Sequence, residues 1–257
     1  MGGLLHKLRH PRRCYVVCAI PRSGSNLLTD GLHATRRAGR PKQFFLPKYE
    51  ADYAAAHGLD VSDFAGYVRG IVAKTATSNE VFGFKLMGWY LHEFLRRFRE
   101  ARSFGDEHSP DLQMLRSAFP HLQFVQMRRR NKLQQAISKA RATQTGLWKI
   151  QEGNSASGKD EFDADLIAHC LEDTEREERI WSRFFEEICM RPFQVEYEEL
   201  CCDYHGTIGS VLEFLNIRLP RKVRVGEPIT VRQSDAVSRE WEERYLAQRG
   251  PPQLVAS

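Results

Sequence analysis

Hydrophobic positions along the chain follow two different periodicities. Four short apolar stretches, rich in β-branched and aromatic residues, predict β-strands at residues 15–20, 81–87, 122–127 and 192–197. Longer segments with helical spacing predict α-helices at residues 26–37, 61–74, 90–102, 112–118, 132–149, 163–188, 208–215 and 238–249. Strands that alternate with helices indicate an α/β fold, in which a central parallel sheet lies between two helical layers.

Length and composition are those of an ordinary globular protein. The chain has 257 residues, of which 42% are hydrophobic and 28% charged, and no Pro/Gly/Ser-rich linker divides it. One domain with a full core is therefore expected over residues 14–257. The net charge is +5, but Lys7, Arg9, Arg12 and Arg13 place most of it in residues 1–13. We interpret this segment as a basic arm. Because the positive charge is concentrated there and is not spread over a face of the protein, we expect no nucleic-acid partner.

The sequence predicts a cytoplasmic protein that binds no metal. No apolar run is long enough to span a membrane, so any membrane association would be peripheral. The basic arm lacks the apolar stretch and cleavage site of a secretory signal. Among the six cysteines, Cys201 and Cys202 are adjacent and Cys14 and Cys18 share a predicted strand. No Cys/His spacing suited to a metal is present.

A short Gly/Ser loop between the first strand and the first helix predicts an anion site. Its backbone N–H groups and the positive end of the helix dipole would face a phosphate or sulfonate. The residues expected to hold the anion are Arg22, Ser23, Gly24, Ser25 and Asn26. The loop lacks the lysine and the magnesium-binding hydroxyl of a nucleoside-triphosphate loop, which favours a metal-free phosphate ester.

Further cations follow the other predicted strands. Ligands of parallel sheets bind beyond the carboxyl ends of the strands, where Arg22, Lys85 and the arginines 128–130 are expected to converge. Three consecutive arginines are also typical of a solvated corner. Ser138 favours the binding interpretation, because it lies about two turns into the next predicted helix and could clamp a second phosphate together with an arginine.

Several motifs together resemble a known enzyme family. Residues 21–28 resemble the 5′-phosphosulfate loop of sulfotransferases that use 3′-phosphoadenosine 5′-phosphosulfate, and residues 129–138 resemble their 3′-phosphate motif. Residues 195–200 are similar to their Tyr-Glu-Asp-Leu signature. Segments 38–45, 83–87, 136–148 and 232–241 resemble the bacterial carbohydrate branch typified by mycobacterial trehalose 2-sulfotransferase. The resemblance extends from about residue 14 to residue 249.

The resemblance implies a P-loop-like sulfotransferase fold and metal-independent sulfuryl transfer. The donor would be 3′-phosphoadenosine 5′-phosphosulfate, and the acceptor would be a hydroxyl of a carbohydrate, glycolipid or other small molecule. It places the loop residues 22–26 on the 5′-phosphosulfate, and Arg129 and Ser138 on the 3′-phosphate, with Arg130 as a near equivalent of Arg129. Arg232 is a further nucleotide contact or a cap of the last helix. A homodimer is compatible with the resemblance.

Two positions bear on the chemical step. Lys85 is expected close to the transferring group, because it lies at the end of the second predicted strand. Gln43 stands where the family resemblance implies a glutamate that removes the acceptor proton, and an amide cannot act as a general base. Either another group such as His33, Glu50 or Asp52 replaces it, or proton loss occurs late. The remaining alternatives are a catalytically silent nucleotide-binding protein and, less favoured, a nucleoside kinase.

The remaining charged and aromatic features have structural interpretations. The run 172–183 mixes charges at helical spacing and predicts an exposed helix face. Trp148, Trp181 and Trp241 have apolar neighbours and predict core positions, although Trp148 could instead flank an adenine.

Overall fold

Four parallel strands form the centre of the computed structural model, which describes residues 11–106, 108–148, 158, 160–221, 223, 225–227 and 236–252. The strands are Arg13–Ala19 (β1), Val81–Met87 (β2), Gln123–Arg128 (β3) and Phe193–Glu196 (β4). Their order across the sheet is β2-β1-β3-β4, and all three pairings are parallel.

Helices cover both faces of this sheet. The α-helices found in the described ranges are Ser25–Ala34 (α1), Pro47–His57 (α2), Phe64–Thr75 (α3), Leu91–Ala101 (α4), Asp111–Ala118 (α5), Lys132–Thr145 (α6), Ala164–Glu187 (α7), Tyr197–Cys202 (α8), Tyr204–Phe214 (α9) and Ala236–Arg249 (α10). A 3₁₀ turn, Gly88–Tyr90, joins β2 to α4. Helices α1 and α9 share one core with the sheet, whereas α3, α4, α5 and α7 share another on the opposite face. This arrangement confirms the predicted three-layer α/β fold.

The position of the central strand β1 explains why its sequence is continuously apolar. Cys14, Val16 and Cys18 point into one core, and Tyr15 and Val17 point into the other. Because β1 has a neighbour on each edge and a helical layer on each face, each of these five side chains is at most 2% exposed. The carboxyl end of this buried strand positions the loop that follows it.

The predicted elements differ from the structure in a few places. All four strands lie at their predicted positions, and β2 has the predicted bounds. Helix α6 ends at Thr145 rather than at residue 149, because Gly146 follows with a left-handed φ of 72°. Helices α2 and α8 were not predicted. Helix α2 buries only Glu50 and Ala54, so it shows no apolar stripe, and α8 has only six residues.

The structure bears on the predicted membrane behaviour but not on the predicted N-terminal arm. Most of the predicted basic arm, residues 1–10, lies outside the described residues, so the division into arm and domain stays a prediction. Among the helices described, none is long and apolar enough to cross a membrane.

Candidate anion-binding cleft

A cleft of about 960 Å³ lies beyond the carboxyl ends of the strands. Its walls come from the loop after β1, the segments that follow β2 and β3, and helices α6, α7 and α8. Lining residues include Arg22, Gly24, Ser25, Asn26, Gln43, Lys85, Trp89, Arg129, Ser138, Lys139, Trp148, Asp173, Glu177 and Tyr197. The predicted convergence of the strand-end cations is therefore confirmed for Arg22, Lys85 and Arg129.

The loop after β1 presents the start of α1 to this cleft. Arg22 and Gly24 both adopt left-handed backbone conformations, with φ values of 61° and 91°. A Cβ atom at residue 24 would collide with the Tyr197 ring and lie 3.0 Å from Met127 Cε, so the position requires glycine. No side chain caps the first turn of α1, whose N–H groups have no partners within the helix. These groups are the candidate anion cradle.

The Arg22 side chain is fixed across the cleft. Its Nε donates to Ser138 Oγ at 2.8 Å, and its Nη1 donates to the Trp148 carbonyl at 2.6 Å. Burial, followed by the charges of Arg129 and Arg141, lowers the pKa of Arg22 to about 10, so the guanidinium stays charged at neutral pH. Over the described ranges, no carboxylate lies within salt-bridge distance of Arg22, which leaves its charge available to an anionic ligand.

Arg129 provides a second cation beside the same loop. Its side chain is only 8% exposed, and its guanidinium lies over the Tyr197 ring at 4.6 Å from the centroid. Its Nη1 also lies 3.4 Å from the Arg22 carbonyl, to which it donates. Arg130 was expected to be a near equivalent, but it does not line the cleft. Its exposed side chain pairs instead with Glu199 of α8.

Glu198 fixes the backbone between Arg129 and α6. Its two carboxylate oxygens accept the N–H groups of Arg130 at 3.1 Å and of Asn131 at 3.3 Å. Burial alone would raise the pKa of Glu198, but these backbone donors, together with the Arg129 charge, hold the pKa below its ordinary value. The carboxylate therefore stays ionised at neutral pH and stabilises the turn that carries Arg129.

Lys85 connects the strand end to the anion cradle. Its side chain is buried, and its Nζ donates to Asn26 Oδ1 at 2.6 Å. Its backbone N–H donates to the Lys42 carbonyl at 2.9 Å, within a short parallel bridge between Lys42 and Phe84 at the edge of the sheet. This bridge fixes the segment containing Gln43 beside β2. The cleft residues Lys85 and Gln43 are therefore held by backbone contacts on adjacent segments.

The two loop serines have different surroundings. Ser23 is completely buried, and its hydroxyl donates to the Ile20 carbonyl at 2.8 Å, so the hydroxyl stabilises the loop itself. Ser25 lines the cleft at the first position of α1. The loop is also tied to α6, because Gln135 Nε2 donates to the Pro21 carbonyl at 2.8 Å. The predicted anion contacts of both serines stay predictions.

A buried charged cluster in the cleft wall was missed by the sequence analysis. Lys139 of α6 lies 3.2 Å from Asp173 Oδ2 and 3.4 Å from Glu177 Oε1, both on α7. The predicted exposed face at residues 172–183 is wrong here, since Glu177 is only 5% exposed. The four-residue spacing of the two acids was a signal that they share one helix face. Their cationic partner on α6 could not be predicted from it.

Of the three tryptophans predicted to lie in the core, two are buried and one lines the cleft. Trp181 and Trp241 are both buried, which confirms their core positions. Trp148 is 47% exposed and lines the cleft, so its predicted core position is wrong. Trp89, which follows β2, is also exposed and lines the cleft as well. The cleft thus combines fixed cations with two accessible indole rings.

Comparison with known proteins gives the family. The family model described as Stf0 sulphotransferase matches residues 14–248. The chain belongs to the Stf0 sulphotransferase family. This membership supports a transferase enzyme that moves a sulfuryl group.

Individual proteins are similar to this chain in sequence or in structure. The trehalose 2-sulfotransferase of Mycolicibacterium smegmatis is 30% identical over 265 residues, which cover 92% of this chain and 95% of that protein. The trehalose 2-sulfotransferase of Mycobacterium tuberculosis is 26% identical over 260 residues, with the same coverage of 92% and 95%. Among solved structures, the sulfotransferase STF9 from Mycobacterium avium has a TM-score of 0.45 at 12% identity, covering 96% of this chain and 70% of that chain.

Two residues considered as alternatives to Gln43 lie outside the cleft. His33 lines a separate cavity of about 770 Å³ at the far end of α1, together with Arg36 and Arg40. Glu50 is buried in a bidentate ion pair with Arg97. Neither residue lines the cleft, because α1 carries His33 away from the loop and because α4 supplies a cation that engages Glu50.

Two further expectations concern Arg232 and metal binding. Arg232 lies outside the described residues, so its proposed nucleotide contact stays a prediction. Within the described ranges, no group of three or more His, Cys, Asp or Glu residues could hold a metal ion.

Proposed function

We propose that the protein transfers a sulfuryl group from 3′-phosphoadenosine 5′-phosphosulfate to a hydroxyl of a carbohydrate, glycolipid or other small acceptor. The observation that carries this proposal is that Arg22, Arg129 and Ser138 line one cleft beside the first turn of α1. The first turn of α1 with Arg22 would form one subsite, and Arg129 and Ser138, which line the same cleft, would form the other. A donor with phosphates at the 3′ and 5′ positions of its ribose requires two such subsites.

The cradle would hold the 5′-phosphosulfate. Donors at the first turn of α1 and the Arg22 guanidinium would face the phosphate oxygens, where charge accumulates as the bond to sulfur breaks. Lys85, bonded to Asn26 at 2.6 Å, would approach the equatorial oxygens of the transferring group. These groups are fixed before the donor binds, so little reorganisation is needed in the transition state.

Arg129 and Ser138 would hold the 3′-phosphate. Arg129 presents a planar guanidinium suited to phosphate oxygens. Ser138 already accepts a hydrogen bond from Arg22, and its hydroxyl proton can still donate to a phosphate oxygen. The exposed Trp148 indole beside these groups supports a stacking position for the adenine.

The proposal also covers the acceptor, the location and the assembly of the protein. A carbohydrate acceptor is supported by the two relatives named trehalose 2-sulfotransferase. A cytoplasmic location and a homodimer remain part of the proposal on the basis of the sequence. A catalytically silent nucleotide-binding protein is the second candidate function, and Gln43 at the expected base position is the observation that favours it.

Binding of the reaction product tests the donor site. We expect 3′-phosphoadenosine 5′-phosphate to bind much more tightly than adenosine 5′-phosphate, because only the former reaches both cationic subsites. Isothermal titration calorimetry of both nucleotides measures the difference. Equal affinities would contradict the assignment of Arg129 and Ser138 to a second phosphate.

Activity is expected to be independent of divalent metal. The Arg22, Lys85 and Arg129 cations can balance the donor's negative charge within the cleft. Excess chelator should therefore leave the initial rate of sulfuryl transfer unchanged. A rate that falls with chelator and returns with magnesium would favour the nucleoside kinase alternative.

A further inference from the structure

The acceptor proton needs a destination other than residue 43. Gln43 lines the cleft, but its amide cannot take a proton. His33 and Glu50 lie elsewhere, as described above. Asp52 is an exposed residue of α2 and is not among the residues lining the cleft. A carboxylate already in the cleft wall would resolve this difficulty.

Glu177 lies at the end of β2, where the transferring group is expected. A Cβ atom at Gly88, directly after β2, would lie 3.1 Å from the Glu177 backbone carbonyl. Lys85 precedes this point on the same segment, and Trp89 follows it. All of these positions except Gly88 belong to the cleft lining. Glu177 is thus placed at the same strand end as Lys85.

One oxygen of the buried Glu177 carboxylate is an unsatisfied hydrogen-bond acceptor. Oε1 lies 3.4 Å from Lys139 Nζ, and the Trp89 backbone N–H also acts on this carboxylate. Oε2 is buried and has no hydrogen-bond partner among the described residues. Buried carboxylate oxygens are normally satisfied, because an unpaired one retains its desolvation cost. A ligand hydroxyl donating to Oε2 would satisfy it.

We propose that Glu177 is the general base that accepts the acceptor proton, an assignment that rests on the proposed function. In this step the acceptor oxygen forms a bond to sulfur while the bond from sulfur to the bridging phosphate oxygen breaks. The acceptor proton moves to Glu177 Oε2, and the electron pair of the broken bond stays on the phosphate. Sulfated acceptor and 3′-phosphoadenosine 5′-phosphate are the products.

The charges around Glu177 suit this role better than those around Asp173. Burial raises the pKa of Glu177, and Lys139 and the Trp89 N–H lower it only in part. Burial also opposes ionisation of Asp173, but Lys139 and the nearby Arg176 and His169 together hold the pKa of Asp173 below its ordinary value. A base with a raised pKa takes a proton more readily near neutral pH. Glu177 is therefore the stronger base of the two.

The test compares Glu177→Gln with Glu172→Gln. Glu172 lies on the exposed side of the same helix, so its variant controls for loss of one negative charge. Each protein is assayed with 3′-phosphoadenosine 5′-phosphosulfate as donor and with trehalose or one of a panel of sugars and phenols as acceptor. Release of 3′-phosphoadenosine 5′-phosphate and mass gain of the acceptor are measured from about pH 5 to 9.

We expect Glu177→Gln to lower kcat by about 10²–10⁴-fold. Affinity for 3′-phosphoadenosine 5′-phosphate should stay unchanged. The wild-type rate should rise with pH as the carboxylate loses its proton, and this rise should be absent from the variant. Glu172→Gln should behave as the wild type does. Equal rates and equal pH profiles for the wild type and Glu177→Gln would overturn the assignment.

A second variant separates a base from a purely structural carboxylate. In the Glu177→Gln background, Gln43→Glu supplies a carboxylate from the other segment that lines the cleft. Recovery of at least about tenfold in kcat, with a renewed rise with pH, would support proton transfer as the lost function. No recovery in the double variant would overturn it.

Failure of the proposed function would look different. A wild-type protein that does not bind 3′-phosphoadenosine 5′-phosphate would overturn the donor site itself. A wild-type protein that binds this product but transfers to no acceptor would overturn the base assignment and favour the silent nucleotide-binding protein. Transfer by the wild type together with undiminished transfer by Glu177→Gln would overturn the base assignment alone.

Discussion

Replacing Glu50 by alanine is expected to lower the free energy of unfolding by about 3–5 kcal/mol. The Glu50 oxygens lie 2.5 and 2.9 Å from the Arg97 guanidinium nitrogens. The two side chains are only 7% and 17% exposed. Removal of the carboxylate leaves the guanidinium beside neutral groups, which are the Tyr90 hydroxyl, the Phe45 carbonyl and the Phe64 ring. Breaking such a pair is costly because the remaining charge has lost its water and its counter-ion.

Chemical denaturation of Glu50→Ala and Glu100→Ala measures this effect. Glu100 also pairs with an arginine, Arg96, but on the exposed side of α4. Its replacement should leave the free energy of unfolding nearly unchanged, because solvent screens that pair. Similar losses for both variants would show that the burial of the Glu50 pair is not what makes it important.

Replacing Arg129 by alanine is expected to weaken binding of 3′-phosphoadenosine 5′-phosphate by about 1.5–3 kcal/mol. This corresponds to a rise in Kd of about 10- to 150-fold. The reason is the loss of a charged donor that is fixed on the Tyr197 ring beside the cradle. Binding of adenosine 5′-phosphate should change much less, since it lacks the phosphate that Arg129 is proposed to hold.

Arg130→Ala is the matched control for Arg129→Ala. The two residues are adjacent and carry the same charge, but Arg130 pairs with Glu199 outside the cleft. Calorimetry should therefore show a nearly unchanged Kd for Arg130→Ala. An equal loss in both variants would indicate that the nucleotide responds to the general positive charge rather than to a contact with Arg129.

Local sequence patterns predicted the elements whose side chains face a core. Strand β1 is apolar on both faces, which is typical of a strand covered by helices on both sides of the sheet. Helix α2 was not predicted because its core-facing side includes the charged residue Glu50. This carboxylate is buried only because it pairs with Arg97 of α4. An apolar stripe reports burial only where apolar side chains do the packing.

The site was predictable to the extent that it lies at strand ends. Arg22, Lys85 and Arg129 each follow or end a predicted strand, and the parallel sheet brings them together. The Lys139 cluster depends on how α6 and α7 face each other. The rejected base candidates depend on the direction of α1 and on the ion pair of α2 with α4. These contacts depend on how distant helices pack together, and no local sequence pattern predicts such packing.

The close contact between Gly24 and Tyr197 limits which substitutions each of the two positions can accept in evolution. A side chain at residue 24 would collide with the Tyr197 ring unless residue 197 became smaller. A smaller residue at 197 would in turn remove the ring on which Arg129 lies. A substitution at residue 24 is therefore expected to require a smaller residue at 197 and a new support for the Arg129 guanidinium.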